Sequence, residues 1–212
     1  IDNNNILYAL SRNGQLYVKN EKTAVVSQLE GNNFLKILPV NSSEIMFVAD
    51  KALYLYRKDG LKLIKSIPLV ATISAVGRKD GGNLLFCQDG SAYEVSDDCR
   101  LKTVPLILNT SVTAYSWSPS LRMSAIGTAS GKIYLFDGNW HEEKTLIGHR
   151  SAITQVGFKE GNLFSSSYDC NVYMWNLNAT KVEPVTLKSF SSWVHCFNVS
   201  QEGVIWTGDE SG

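Results

Sequence analysis

Six polar turns recur along the chain at nearly constant spacing, and that period constrains the fold more than any other feature. Gly14, Lys51, Gly90, Gly131, Cys170 and Gly212 occupy them, at intervals of 37, 39, 41, 39 and 42 residues. Each turn follows a short apolar segment, and the first five precede a second segment rich in aromatics. Leu84-Leu85-Phe86-Cys87 leads into Ser91-Ala92-Tyr93-Glu94-Val95, and Leu163-Phe164-Ser165-Ser166-Ser167 into Asn171-Val172-Tyr173-Met174-Trp175. Apolar and polar residues alternate over these stretches, which is the pattern of half-buried strands, and no long run has a 3.6-residue apolar period. A repeat of about 40 residues built only of strands predicts an all-β fold of β-propeller type, in four-stranded antiparallel blades. One such sheet cannot cover both its faces, so neighbouring blades must stack on it, with alternate aromatics filling the gap.

The period also dissects the 212 residues. With strands labelled a (innermost) to d (outermost), the turns join strands b and c. Blades are expected at about 1–30, 31–68, 69–109, 110–148, 149–190 and 191–212. The first would begin at strand b and the last would stop after strand b, giving 21 strands in all. A six-bladed ring needs 24 strands and a seven-bladed ring, the favoured reading, needs 28. The chain is therefore expected to be one propeller segment, incomplete at both ends. Its open sheet edges would pair with the remaining strands of a parent protein.

Composition removes several classes of function. Twenty Lys+Arg balance twenty Asp+Glu, so there is no basic excess of the kind nucleic-acid binders carry. With 44% hydrophobic residues the chain is not of the disordered type. No apolar run approaches the roughly 20 residues that span a bilayer. Cys87, Cys99, Cys170 and Cys196 contain no Cys-x-x-Cys pair, and they read as reduced thiols of a cytoplasmic protein. The Asn-x-Ser/Thr triplets at Asn41, Asn109, Asn178 and Asn198 carry no weight in a chain so rich in Ser and Asn.

Two repeats carry more specific marks. One has Gly148-His149, then Ser151-Ala152-Ile153-Thr154-Gln155-Val156-Gly157-Phe158, Tyr168-Asp169 and Val172-Tyr173-Met174-Trp175-Asn176. This resembles the WD repeat, with Asn176 in place of the final Asp. The preceding repeat, with Ser130-Gly131 and Leu135-Phe136-Asp137, is similar. The resemblance is strong over 110–176, readable over 185–212 and weak over 1–105, where the repeats are also similar to quinoprotein-type propellers. It implies a buried hydrogen-bonded tetrad of His149, Ser167, Asp169 and Trp175, with Ser165 on the same strand face as the substitute for Ser167. It also implies that partners dock on the face made by the d–a and b–c loops, where Arg12, Asp50, Arg150, Tyr168, Trp193 and Glu210 fall.

Other constellations read as ordinary structure. His149, Asp169 and Ser167 look like a hydrolase triad, but the repeat makes them interior. Gly127-Thr128-Ala129-Ser130-Gly131-Lys132 has too few residues between its glycines for a phosphate loop, and Ile133 stands where Ser or Thr should follow Lys132. His141, His195 and Cys196 have no further ligand at metal spacing, so no metal or cofactor is expected. The acidic residues Glu202, Asp209 and Glu210, and the pair Asp97-Asp98, read as solvated turns. Trp117, Trp175 and Trp206 are expected in the core. Trp140 and Trp193 are either packed on their own loops or interface anchors.

The composition and the resemblance together imply a non-catalytic interaction or sensor scaffold for a protein or peptide partner. The alternative is a ligand-binding or enzymatic propeller with its site at the central channel. The expected starts of strands a are Phe34-Leu35, Val70-Ala71, Val112-Thr113, Ile153-Thr154 and Val194-His195, and only His195 among them is ionisable. Degenerate repeats preceding better ones also resemble the sensor propeller of bacterial multidomain signalling ATPases. That would place an effector domain, and any nucleotide hydrolysis, elsewhere in the parent chain.

Overall fold

The computed structural model describes residues 6–19, 24–31, 33–106, 108–200 and 203–211. The turn position Gly212 and the acidic residue Glu202 lie outside the described residues. The first sheet holds β1 (Leu7–Leu10), β2 (Gln15–Lys19) and β3 (Ala24–Gln28). The second holds β4 (Phe34–Pro39), β5 (Glu44–Ala49), β6 (Ala52–Arg57) and β7 (Lys62–Pro68), with a 3-10 turn at Asp59–Leu61. The third holds β8 (Ile73–Lys79), β9 (Gly82–Cys87), β10 (Ala92–Val95) and β11 (Leu101–Thr103). The fourth holds β12 (Val112–Ser118), β13 (Met123–Thr128), β14 (Ile133–Asp137) and β15 (Glu142–Leu146). The fifth holds β16 (Ile153–Lys159), β17 (Asn162–Ser167), β18 (Asn171–Asn176) and β19 (Pro184–Ser189). The sixth is the pair β20 (Val194–Val199) and β21 (Ile205–Asp209). Every pairing is antiparallel and every sheet runs in chain order.

Consecutive sheets touch through their first strands: β4 meets β8, β8 meets β12, β12 meets β16 and β16 meets β20. The core is accordingly divided into layers. Leu16, Phe34, Ile45 and Phe47 fill the space between the first and second sheets. Met46, Val48, Leu53, Ile73 and Leu85 fill the next. Phe86, Leu84, Ile126 and Trp140 lie between the third and fourth sheets, and Leu135, Ile153, Leu163 and Trp175 between the fourth and fifth. The second strands of the second to fifth sheets are buried along almost their whole length, because each has a sheet on either face. Gly77 allows a close approach between sheets: a Cβ there would stand 2.1 Å from the Tyr115 ring of the next sheet.

Two backbone devices repeat. All five first strands from β4 onward carry a β-bulge at their second residue: Leu35, Ser74, Thr113, Thr154 and His195. An extra residue at this point turns its side chain away from the ladder and increases the local twist. The second device is a clamp between the turn joining strands b and c and the loop that enters the same sheet. Asp50, Gln88, Ala129, Tyr168 and Glu210 donate their N–H to the carbonyls of Asn33, Thr72, Ser111, Ala152 and Trp193, at 2.9 to 3.1 Å.

Lys51 is in the expected turn, a two-residue one without the left-handed backbone found at Gly14, Gly90, Gly131 and Cys170, whose turns are longer. Three expectations need correction. Val70 and Ala71 are in the loop before β8, which starts at Ile73, and Val70 is fully exposed. Trp117 is half-buried rather than core, with its indole donating to Asp80 in the neighbouring sheet at 3.0 Å. Trp206 is 68% exposed, because β21 is the outer strand of a two-stranded sheet and its face meets no further described sheet.

Candidate functional site

From the second sheet onward, the loop entering each sheet and the turn after its second strand lie at one end of the molecule, tied together by the clamps. Two arrangements there bring predicted residues together.

The first is a buried relay in the fifth sheet. The Trp175 indole N–H donates to Ser165 Oγ at 2.9 Å, Ser165 Oγ lies 2.8 Å from His149 Nε2, and His149 Nδ1 lies 2.8 Å from Asp169 Oδ2. The Arg150 N–H also reaches Asp169 Oδ2, at 2.9 Å, and the Asn171 N–H reaches its Oδ1 at 3.0 Å. Tyr173 stacks on the imidazole with centroids 4.2 Å apart. Burial lowers the His149 pKa below its ordinary value, against the opposing pull of Asp169, so the ring is neutral. Burial pushes the Asp169 carboxyl up. The Arg150 N–H, the His149 ring and the Asn171 N–H together outweigh it and hold the group below the usual carboxylate range. With Asp169 ionised, His149 carries its proton on Nδ1 and Nε2 accepts from Ser165, which completes every bond in the chain.

Ser165, not Ser167, is therefore the hydroxyl of the relay. Register is the reason. Trp175 sits opposite Leu163, so its diagonal neighbour on the same face is Ser165, while Ser167 is four residues along. Ser167 is buried too, but its hydroxyl donates to the Ser151 carbonyl at 3.0 Å and accepts the Asp169 N–H at 3.1 Å, shaping the turn instead.

The second arrangement is an exposed ring cluster across the junction of the fifth and sixth sheets. Tyr168 packs on Trp193 with centroids 5.3 Å apart and meets His195 edge-on at 5.6 Å. Tyr168 is 39% exposed and Trp193 51% exposed. Trp193 thus packs on a neighbouring turn, not on its own loop. Glu210 is held beside Trp193 by its clamp bond, and Arg150 lies near by the Asp169 bond. Arg12 and Asp50 sit on the turns of the first and second sheets. The Arg12 carbonyl accepts from Phe34 N–H, and Asp50 Oδ2 accepts from the Asn33 side chain at 3.1 Å. The six candidate face residues therefore share one end of the molecule, but only the Tyr168, Trp193 and Glu210 group is contiguous.

His195 was missed as a member of this cluster. Its bulge position was the available signal, since it repeats through the sheets. Sequence reasoning also missed a contact at the other end of the sheets. Lys79 Nζ lies 4.5 Å from the Trp140 ring centroid and 5.1 Å from that of Trp117, and it donates to the Gly138 carbonyl. Trp140 is buried there, between the third and fourth sheets. A cavity of about 590 Å³ beside Lys79 is lined by Asn83, Glu94, Arg100 and Lys102 among others. The loop at 129–132 joins two strands, β13 and β14, as the rejection of a phosphate loop requires. Among the described residues no three His, Cys, Asp or Glu side chains are grouped to hold a metal ion, and no helix is long and apolar enough to cross a membrane.

No family model matches the chain. Telomerase protein component 1 of Mus musculus is 33% identical to it over 78 residues, which are 36% of this chain and 3% of that protein. The Rattus norvegicus protein of the same name gives the same figures. The chain spans only that small fraction of these relatives. Among solved structures, the computationally designed Ika8 protein superimposes with a TM-score of 0.75 at 18% identity, over 99% of this chain and 66% of that one. Saccharomyces cerevisiae Sqt1 gives 0.76 at 14% identity, over 97% of this chain and 66% of that one. At such identities the likeness concerns the fold alone, and the sheets and their stacking agree with it: the chain has the architecture of a β-propeller.

Proposed function

We propose that this chain is a non-catalytic protein-interaction scaffold of the WD-repeat type, presenting its loop face to a protein or peptide. The observation that carries the reading is the exposed cluster of Tyr168, Trp193 and His195 on a rigid end of the fold. Large aromatics are frequent interface anchors, and main-chain clamps hold them ready at little entropic cost. The relay of His149, Ser165, Asp169 and Trp175 then serves the fold. Its serine is wholly buried and both its bonds are taken, so it presents no nucleophile to a substrate. The match to a telomerase component is in keeping with a part in a protein assembly. The balanced charge favours mixed polar contacts over phosphate backbones. The four free cysteines are consistent with a cytoplasmic setting.

The test compares the wild-type chain with the double variant Tyr168→Ala, Trp193→Ala. Captured proteins are identified by mass spectrometry, purified and titrated by calorimetry against both. A partner whose affinity falls at least about tenfold in the variant supports the proposal. Equal binding to both refutes this face, as does a small molecule that stabilises the chain while no protein partner binds.

A further inference from the structure

We infer that the ring cluster between the fifth and sixth sheets takes the guanidinium of an arginine in a peptide partner; this deepens, and rests on, the scaffold reading above. The repeat supplies its own control. Trp193 stands where the other clamps place Asn33, Thr72, Ser111 and Ala152. Tyr168 stands where they place Asp50, Gln88, Ala129 and Glu210. His195 stands at the bulge where the other sheets have Leu35, Ser74, Thr113 and Thr154. Residues without rings satisfy the same backbone at every other described junction. The fold does not call for rings here, yet all three positions carry one at this junction and at no other described one.

The charge around the rings selects their ligand. The segments at 149–150, 168–170, 190–193 and 209–211 contain Asp169, Asp209 and Glu210 against a single Arg, Arg150, and no Lys. Asp169 is committed to the relay, and Asp209 accepts from Ser211. The main chain of the exposed Glu210 is tied to Trp193 by the bond from its N–H to the Trp193 carbonyl, which brings this residue to the rim of the cluster. Aromatic faces next to a carboxylate attract a cation and repel an anion. A planar guanidinium fits better than an ammonium, because it stacks on a ring while donating two parallel bonds to a carboxylate.

The experiment follows the Trp193 indole N–H resonance of the ¹⁵N-labelled chain, assigned with Trp193→Phe. Blocked Gly-Arg-Gly, Gly-Gln-Gly and Gly-Glu-Gly peptides are titrated in turn. The arginine peptide should move this resonance saturably and bind at least about tenfold more tightly than the other two. Glu210→Gln should weaken it about fivefold. Equal binding of the glutamine peptide, or tighter binding of the glutamate peptide, overturns the arginine assignment and leaves the face intact, since Trp193 still responds. If no peptide moves Trp193 but the calorimetric partner is lost in the alanine variant, the arginine assignment again falls alone. If Trp193 is silent and the partner binds the variant normally, both readings fall.

Discussion

Removing the Ser165 hydroxyl would strip the relay of an acceptor and a donor in one step. In Ser165→Ala the Trp175 indole N–H and His149 Nε2 lose their partner, and both residues are almost wholly buried, at 1% and 6% exposure. A buried polar group left unpaired costs about 1–3 kcal/mol, so the variant should lose about 2–5 kcal/mol of stability. Ser167→Ala is the control, because that serine is equally buried but bonds only backbone groups of the turn, Ser151 O and Asp169 N. It should lose about 1–2 kcal/mol, since those groups lie at the edge of the sheet where water can replace the hydroxyl. Urea midpoints at constant slope, followed by tryptophan fluorescence, give both values. A double-mutant cycle with Trp175→Phe should return a coupling of about 1–2 kcal/mol with Ser165 and close to none with Ser167. A loss in Ser167→Ala equal to or larger than that in Ser165→Ala would refute the assigned order of bonds.

Stability should also respond to pH. Burial holds the His149 pKa below 6.5, so in mildly acidic solution the unfolded chain takes up a proton that the folded chain refuses. The stabilisation is complete above pH 6.5 and is lost as pH falls from there toward the folded-state pKa. Asp169, also lowered, adds a second loss in more acid solution, below the ordinary carboxylate value. Denaturation midpoints between pH 8 and 5 should fall, and a His149→Gln variant should flatten the upper part of the curve. Gly90→Ala should be severe, with a loss of at least about 3 kcal/mol, because φ is +85° and the new Cβ would stand 1.7 Å from the Leu108 carbonyl oxygen. Gly81→Ala, with the same φ but open space, should lose only about 1 kcal/mol, as thermal melts would show. Lys79→Met should lower stability by about 1–2 kcal/mol by removing the cation from the Trp140 and Trp117 rings, measured by urea unfolding. A thiol reagent should modify exposed Cys196 first, then Cys170, while Cys87 and Cys99, buried and with raised thiol pKa values, react only on unfolding.

The spacing of the turns was enough to recover the succession of sheets, because a four-stranded unit with short connections has a nearly constant length. What it could not convey was which residue of a strand faces which neighbour. Ser165 and Ser167 share a face, and only the pairing of Trp175 with Leu163 decides between them. Trp206 has the sequence context of a core residue, yet burial depends on a neighbouring sheet, which no local pattern reports. Val70-Ala71 is apolar like the other expected starts of inner strands, yet Val70 is fully exposed and β8 starts only at Ile73. The contact of Lys79 with Trp117 and Trp140 joins residues far apart in the chain, and its parts gave no local sign of it.

The clamps that tie each turn to its entering loop are made of main chain alone. Tyr, Glu, Asp, Gln and Ala all serve at the donating position. Folding therefore imposes almost no selection on the side chains there, and a lineage can change what its face displays without endangering the scaffold. Mutations that win a new partner and mutations that break the domain fall on different residues. A protein organised this way can diversify its contacts faster than its architecture, which is what sheets of one plan carrying such unlike turns would record.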